Sequence, residues 1–506
     1  MRASFSGIEI ARRALQAQQR SLDVVGHNVA NANTPGYSRQ VAVHAATRPY
    51  TTPQLKHHQV GGQVGTGVTV QEITRVRDQF VETRLRQEGQ NLGYWQELDN
   101  GLHQIQLIFN EPSDTGIHNA LDEYWDSLQE LSKHPENEAT RAVVVQRAEV
   151  LAETIRHIQG QLIALRDNMN ETVSVYVSRI NSIGQQIAQL NEEIGKVSNS
   201  GNNPNDLLDK RDVLLEELSQ IVNIEVVADS NNMVSVSISG VSLVQRSQYF
   251  GLKVVANEDA DLGYRQQQIV WEDTNSPAEV RNGELKAVLE LRDGEIQNHI
   301  DALNEWTKQF VVTVNAVHRS GYNLLGAEPG DFFVGLEHRD VASNIRVNAD
   351  LIADPKLIAA GYHTNSDNTE LDWGNGHNAV RLASLRYDAP NVFENLIEQY
   401  LEENSYDFGK EFVTNLMIST PLPESYNSII SQLGVRANEA INMTEKSTVM
   451  MKHLYGLRES ASGVNLDEEM ADMIRFQHAY NAAARVMTAM DEALEIIVNR
   501  LGVVGR

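Results

Sequence analysis

Two stretches at opposite ends of the chain carry matching amphipathic stripes, and neither can bury its stripe alone. From Ile8 the apolar positions Ile8, Ala11, Leu15, Leu22, Val25 and Val29 recur on steps of three and four, with Gln18 intruding. Over 464–501 the same stepping gives Leu466, Met470, Met473, Tyr480, Ala484, Met487, Leu494, Val498 and Leu501, with Gln477 and Asp491 as intruders. A sustained three-four step is a coiled-coil seam. The economical fold packs one stripe on the other. The N- and C-terminal helices are therefore expected to pair, with everything between them inserted.

Charge agrees with that pairing. Residues 1–60 hold seven Lys/Arg and two Asp/Glu, and residues 456–506 hold five Lys/Arg and eight Asp/Glu. Opposite balances favour association of the two ends over self-pairing of either, although exposed pairs contribute only tenths of a kcal/mol each.

The segment after the first helix reads Gly26-His27-Asn28-Val29-Ala30-Asn31-Ala32-Asn33-Thr34-Pro35-Gly36-Tyr37-Ser38-Arg39-Gln40. Asn28, Asn31 and Asn33 can cap carbonyls at a helix end or tolerate left-handed backbone. Pro35-Gly36 suits the centre of a type II turn, since Pro presets a negative φ and Gly supplies the positive one. Tyr37 adds a flat amphipathic ring. On these grounds the segment is a sharp exit from a long helix.

The run "NVANANTPGYSRQ" resembles the N-terminal signature of bacterial flagellar rod, hook and hook-associated proteins. The ending "SGVNLDEEMADMIRFQHAYNAAARVMTAMDEALEIIVNRLG" resembles the C-terminal signature of the same axial family. Within it, Ser38-Arg39-Gln40 and the run 281–326 are most similar to the hook-associated branch. The resemblance covers 1–45, 90–220, 281–326 and 422–506, and leaves 225–280 and 327–421 without family motifs. It implies a structural adaptor that joins hook to filament, exported unfolded by the flagellar type III route and assembled as a ring at the hook tip. The implied partners are the hook protein, the second junction protein (hook-associated protein 3), further copies of the chain, and a cytoplasmic export chaperone that holds the C-terminal helix. The implied place is extracellular, in the flagellum. A hook or distal rod subunit is the alternative within the family. A cytoplasmic coiled-coil scaffold is the alternative outside it, and explains the heptads but not both signatures. The assembly residues implied are Asn28, Asn31, Asn33, Pro35, Gly36, Tyr37, Ser38 and Arg39 in the turn, with Leu15, Leu22, Met470, Met473, Tyr480, Met487, Leu494, Val498 and Leu501 in the seam.

Composition narrows the other classes. At 506 residues the chain has length for two to four domains. No stretch approaches eighteen apolar residues, so no transmembrane helix or membrane insertion is expected. The N-terminus has no apolar core followed by a small-residue cleavage site, which predicts no cleaved secretory signal. There is no cysteine, which excludes disulfides, thiolate metal sites and Cys nucleophiles. With 42 Lys/Arg against 68 Asp/Glu the net charge is −26, and no basic run supports nucleic-acid binding. Arg75, Arg77, Arg84 and Arg86 alternate with Glu72, Asp78, Glu82 and Glu88, the pattern of a balanced helix face.

The expected fold class is mainly α with an inserted β region, built on long coiled-coil helices in nested discontinuous domains. Residues 41–72 read as an extended segment with short strands. Helices are expected from about Arg77 to Asn110, and from a cap at Asp114 or Thr115 to before Pro135. A rod of roughly 40 residues follows, about 60 Å long, on Ile158 through Val197. After the break at 198–205, Asp206 begins a helix to about Ile221. The alternation of Val234, Val236 and Ile238 with serines marks strands. A helix returns over 283–318, and helices resume near Val392. The domain scheme is 1–60 plus 456–506 as an inner axial coiled coil; 61–224, 281–320 and 422–455 as a long-helix rod; and 225–280 plus 321–421 as an outer inserted domain.

No catalytic motif emerges, so no enzyme, cofactor or metal site is expected. "GGQVGTGV" at 61–68 lacks the Lys-Ser/Thr of a phosphate loop. Adjacent His57 and His58 point apart. Asp372-Trp373-Gly374-Asn375-Gly376-His377 mixes an acid, an aromatic and a His, but reads as a surface turn. Glu192-Glu193, Glu216-Glu217 and Glu468-Glu469 diverge by about 100° on helices and read as solvated faces.

Overall fold

The computed structural model describes residues 6–48, 65–257, 264–326, 328–362, 372–404 and 420–500, with backbone only for 497–500. It is 67% helical with a small sheet region. Helix α1, Ser6–Asn31, leads through the Asn-rich turn into strands β1, Gln40–Ala46, and β2, Val68–Arg75. These pair antiparallel from Gln40↔Arg75 to Ala46↔Val68, with a bulge at Val43/His44. Helices α2 (Gln79–Phe109), α3 (Ile117–Lys133), α4 (Glu138–Asn199) and α5 (Asn205–Ile221) follow.

The α4 rod is 62 residues long, not 40, or roughly 90 Å. Its apolar period extends back through Val144, Ala148, Leu151 and Ile155, all buried. The expected cap at Asp114 or Thr115 is replaced by Glu111, whose Oε1 accepts from His118 N–H at 2.9 Å, while Gly116 takes the cap position.

Strands β3 (Ile224–Ala228), β4 (Val234–Ile238), β5 (Val241–Gln245) and β6 (Gln248–Tyr249) form an antiparallel meander, and β7 (Leu252–Asn257) pairs with β8 (Gln266–Trp271). Three asparagines on α4 hold these strands. Asn181 Oδ1 accepts from Leu252 N–H and its Nδ2 donates to Leu252 C=O. Asn191 grips Val234 in the same way, and Asn170 spans Arg265 C=O and Gln267 N–H.

The helix expected over 283–318 is two helices, α6 (Glu284–Glu290) and α7 (Ile296–Arg319), joined by a π turn over Leu291–Glu295. Arg292 in that turn is buried against Asn170 Oδ1 and Gln267 C=O. The extra residue in the turn accompanies this polar contact, which periodicity does not encode.

Short elements then pack on α3, α4 and α7: β9 (Phe333–Val334), α8 (Val341–Asn344), β10 (Arg346–Val347), α9 (Ala349–Ala353), α10 (His377–Ser384) and α11 (Glu394–Glu403). Their core is aromatic, with Tyr124, Trp125, Phe310, Phe332 and Phe333 in mutual contact. They touch α4 at Arg141, which donates to Ile358 C=O, and at Gln159, which donates to Asp340. The β region touches α4 from Asn170 to Ser198. The described parts of 225–280 and 321–421 therefore sit on different stretches of the rod.

Helix α12, Leu422–Ser462, runs antiparallel to α2, from Tyr426 beside Glu111 to Met451 and Leu454 against Val81 and Leu85. Arg436 ties it to Glu290 and Glu295 at 3.1 and 2.7 Å. Helix α13, Leu466–Arg500, packs antiparallel on α1. Among the described residues no helix is long and apolar enough to cross a membrane.

Candidate assembly site at the terminal coiled coil and its turn

The pairing of α1 with α13 is fixed at both ends. Asn28 lies beside Glu469, and a Cβ at Gly7 would come within 2.9 Å of Met490 Sδ. The seam is rotated from the expected stripe. Glu469 is 1% exposed, and Phe476 stacks near His44 of β1 at 6.3 Å. Met473, Met487 and Leu494 are half-buried beside that seam, whereas Met470 and Tyr480 are exposed. The rotation has a cause in α1. Its buried residues are Ala11, Ala17, Ser21, Val24, Val25 and Asn28, because α1 receives the β1–β2 hairpin on one flank and α13 on the other. Leu15 and Leu22 stay half-buried. The side chain of Val498 and all of Leu501 lie outside the described residues.

The turn adopts the expected geometry. Tyr37 N–H donates to Thr34 C=O at 3.2 Å, with Pro35 and Gly36 between, and Gly36 has φ +77°. The site is tight, because a Cβ at Gly36 would lie 2.2 Å from Val213 Cγ2 on α5.

Polar side chains of the turn bind within the chain. Asn28 is 1% exposed; its Oδ1 accepts from Gln40 N–H at 3.0 Å and from Tyr37 OH at 2.8 Å. Its Nδ2 donates to Gln40 C=O and to Glu469 Oε2. Burial and the neighbouring acids Asp206, Asp209 and Glu469 push the Tyr37 phenol well above its ordinary pKa, so it stays a donor. Arg39 Nε donates to Glu469 Oε1 at 2.7 Å, and Arg39 N–H donates to Ser462 C=O. Ser38 is 1% exposed; its N–H and Oγ both donate to Asp209. Asn31 donates to His27 C=O, while Asn33 and Pro35 face solvent.

Several of these partners escaped the sequence reading. Arg75 and Arg77 are not on a helix face. Arg75 ends β2 and bridges Asp209 and Asp212, and Arg77 contacts Asp212 and Ser38 Oγ. Glu469 is a buried clamp rather than a solvated acid, and Glu216 pairs with Arg458. The Asp206, Asp209, Asp212 spacing on α5 was the available signal, since it places three acids along one side of a helix.

His57, His58 and most of 61–68 lie outside the described residues. At 372–377 the Asp372 side chain caps Gly374 N–H, Asn375 caps His377 N–H, and a Cβ at Gly376 would strike Ser132 C=O. Among the described residues no group of His or acidic side chains is arranged to hold a metal.

The flagellar hook-associated protein 1 of Bacillus subtilis (strain 168) is 32% identical over 538 residues, covering 100% of both chains. The chain belongs to the flagellar hook-associated protein 1 family. The relative of that name from Salmonella typhimurium (strain LT2) is 25% identical over 562 residues, across 97% of this chain and 99% of the relative. Family models agree segment by segment. "Flagella basal body rod protein" matches 8–37, "Flagellar hook-associated protein FlgK helical domain" matches 102–333, and "Flagellar basal body rod FlgEFG protein C-terminal" matches 458–501. The two terminal matches cover the pair that packs together here as α1 with its turn and the end of α12 with α13. The fold is shared with the flagellar hook junction protein FlgK from Burkholderia pseudomallei, at TM-score 0.56 and 16% identity, over 74% of this chain and 100% of that one.

Proposed function

We infer that this hook-associated family member is a structural subunit of the hook–filament junction, and that its terminal coiled coil is the element through which copies assemble. The observation that carries the reading is the exposed apolar strip on α13. Leu466, Met470, Ile474 and Tyr480 remain outside the α1 seam at 51%, 50%, 52% and 36% exposure. Half-buried Leu15 and Leu22 lie on the partner helix. A strip of this kind along a two-helix pair suits burial against neighbouring copies. The turn from Asn28 to Arg39 acts within the chain instead, tying the coiled coil to the rod through Asp209 and Glu469.

In this proposal the inner element is 1–60 with 456–506, and the helices of 61–224, 281–320 and 422–455 form the rod outside it. The hook protein borders one side of the ring and hook-associated protein 3 the other. Export precedes folding, and a chaperone covers the α13 strip in the cytoplasm. The function is architectural and not enzymatic.

The test is location. Labelled antibody against the chain on purified hook–basal structures should mark the distal end of the hook, and a deletion strain should release flagellin into the medium. Label along the whole hook or within the rod would favour a hook or rod subunit. A soluble cytoplasmic pool with normal filaments would overturn the reading.

A further inference from the structure

The two helices of the terminal pair carry opposite charge, yet their charges do not meet within the chain. Residues 1–71 hold seven Lys/Arg and only two acids, Glu9 and Asp23. On α1 the single Glu9 carboxylate serves both Arg12 and Arg13, at 2.6 and 2.9 Å. Arg20 and Arg48 are exposed and form no ion pair among the described residues. These arginines stand on the hairpin flank of α1. Arg12, Arg13 and Arg20 line a cleft of about 260 Å³ with Thr47 and Val68, and Arg13 Nη1 donates to Thr66 C=O. Helix α13 packs on the other flank, where Gly7 and Asn28 meet Met490 and Glu469.

The far end of α13 has the opposite character. Over 486–496 it holds Asp491, Glu492 and Glu495 and no base, the nearest in sequence being Arg485 and Arg500. All three acids are exposed and form no ion pair among the described residues. Ile496 beside them is 53% exposed. Where charges of the two ends do meet, the base is Arg39, which lies beyond α1 and holds Glu468 and Glu469.

We propose that the acidic end of α13, through Glu492 and Glu495, docks on the arginine flank of α1, at Arg12 and Arg20, in a second copy of this chain. One copy thus offers two different, complementary faces, and the contact is heterologous: α13 of one copy meets α1 of the next, the kind of interface that closes into a ring or continues as a helix. Charge complementarity selects the partner face, because like charges set against each other are strongly disfavoured. Half-buried Leu15, one turn from Arg12, and exposed Ile496 add apolar surface beside the charges. This inference rests on the junction reading and specifies how copies meet in it.

The experiment exchanges the charges in the full chain and counts hooks that bear attached filaments. One chain carries Arg12→Glu with Arg20→Glu, and another carries Glu492→Arg with Glu495→Arg. Each alone sets like charges face to face and should lower attachment about tenfold or more. Each should keep the wild-type circular dichroism, since the exchanged side chains do not bridge α1 and α13 of their own copy. Co-expression of the two chains should restore attachment, and so should one chain with all four changes. Normal attachment with either reversed chain alone overturns the proposal. So does rescue by the four-change chain without rescue by co-expression, which would place the charges within one copy, and so does failure of both rescues.

If a reversed chain is retained in the cell, Arg20→Cys with Glu492→Cys decides, because these thiols are the only ones in the chain. A short bismaleimide should link isolated junctions into a ladder of copies, whereas linkage inside single copies, or none, overturns the proposal. Antibody label away from the hook tip would overturn the junction reading alone, and the same ladder would still score the contact in whatever assembly carries the label.

Discussion

Asn28 grips Gln40 by both faces of its peptide backbone, accepting from its N–H at 3.0 Å and donating to its C=O at 2.9 Å. The same two-sided grip recurs at Asn181 on Leu252 and Asn191 on Val234. At these three strand starts a helical asparagine meets both backbone groups of one strand residue, as a neighbouring strand would. At Asn28 the grip also sets the geometry of the terminal coiled coil, since its Nδ2 reaches Glu469 and its Oδ1 receives Tyr37.

Asn28→Leu should therefore loosen the ends without unfolding the middle. It strips partners from Gln40, Tyr37 and Glu469, and each stranded buried polar group costs about 1–3 kcal/mol. Hydrogen exchange should rise sharply across 8–48 and 466–490 while protection of α4 and α7 holds. Unchanged exchange over α13 would mean that the clamp does not hold the pair together.

Gly36 is constrained twice, by a φ of +77° and by Val213. Gly36→Val should cost about 1–3 kcal/mol from backbone strain, with a steric clash added. Val213→Ala should restore only the steric part, so Gly36→Ala with Val213→Ala should unfold between wild type and Gly36→Ala alone. Equal denaturation midpoints for the double variant and wild type would mean that the turn tolerates the conformation. Ser38→Ala should destabilise as well, because it removes a buried bond to Asp209 and one from Arg77.

The helices and the turn were legible because periodicity and Pro-Gly chemistry are local. Pairing of the termini followed from two stripes that had no other outlet. What escaped depended on contacts distant in sequence. The seam on α13 is rotated because the β1–β2 hairpin shares α1, and no property of 464–501 alone encodes that. Glu469 looks like any acid in a helix's first turn until Arg39 and Asn28 arrive from the other end of the chain. The π turn at 291–295 depends on Arg292 finding Asn170, again across a long separation.

The main hydrophobic core runs from Leu98 to Ala440 and includes no residue of α1 or α13. A fragment of residues 65–462 should therefore unfold cooperatively, with a midpoint near that of the full chain. Gradual melting with no transition would make the rod dependent on its coiled coil.

His318 is fully buried, with Nδ1 against Gly330 C=O and Nε2 accepting from Ala359 N–H. Burial, with Arg141 and Arg319 nearby, lowers its pKa from 6.5 to about 4. The unfolded chain thus binds a proton that the folded chain refuses between those values, so stability falls as pH drops from 6.5 toward 4 and is fully present above 6.5. His318→Gln should be less stable at neutral pH and show a shallower loss on acidification. Parallel stability curves for the two proteins would assign the acid sensitivity elsewhere.

The strip and the seam on α13 can be separated by the same substitution placed on each. Phe476 faces the hairpin at His44 and borders the buried Glu469, so Phe476→Asp puts a charge into the intramolecular interface. It should free α13 in the monomer, lower helicity and block junction assembly together. Met470 and Tyr480 point away from α1. Met470→Asp or Tyr480→Asp should change monomer stability by no more than about 0.5 kcal/mol, as exposed substitutions do. On the proposed role of the strip, each should still abolish filament attachment and weaken capture by the proposed chaperone. Arg475→Ala supplies an off-strip control that should leave motility intact. Full motility in Met470→Asp and Tyr480→Asp strains would remove the strip from the assembly surface and leave the half-buried Met473, Met487 and Leu494 as its candidates.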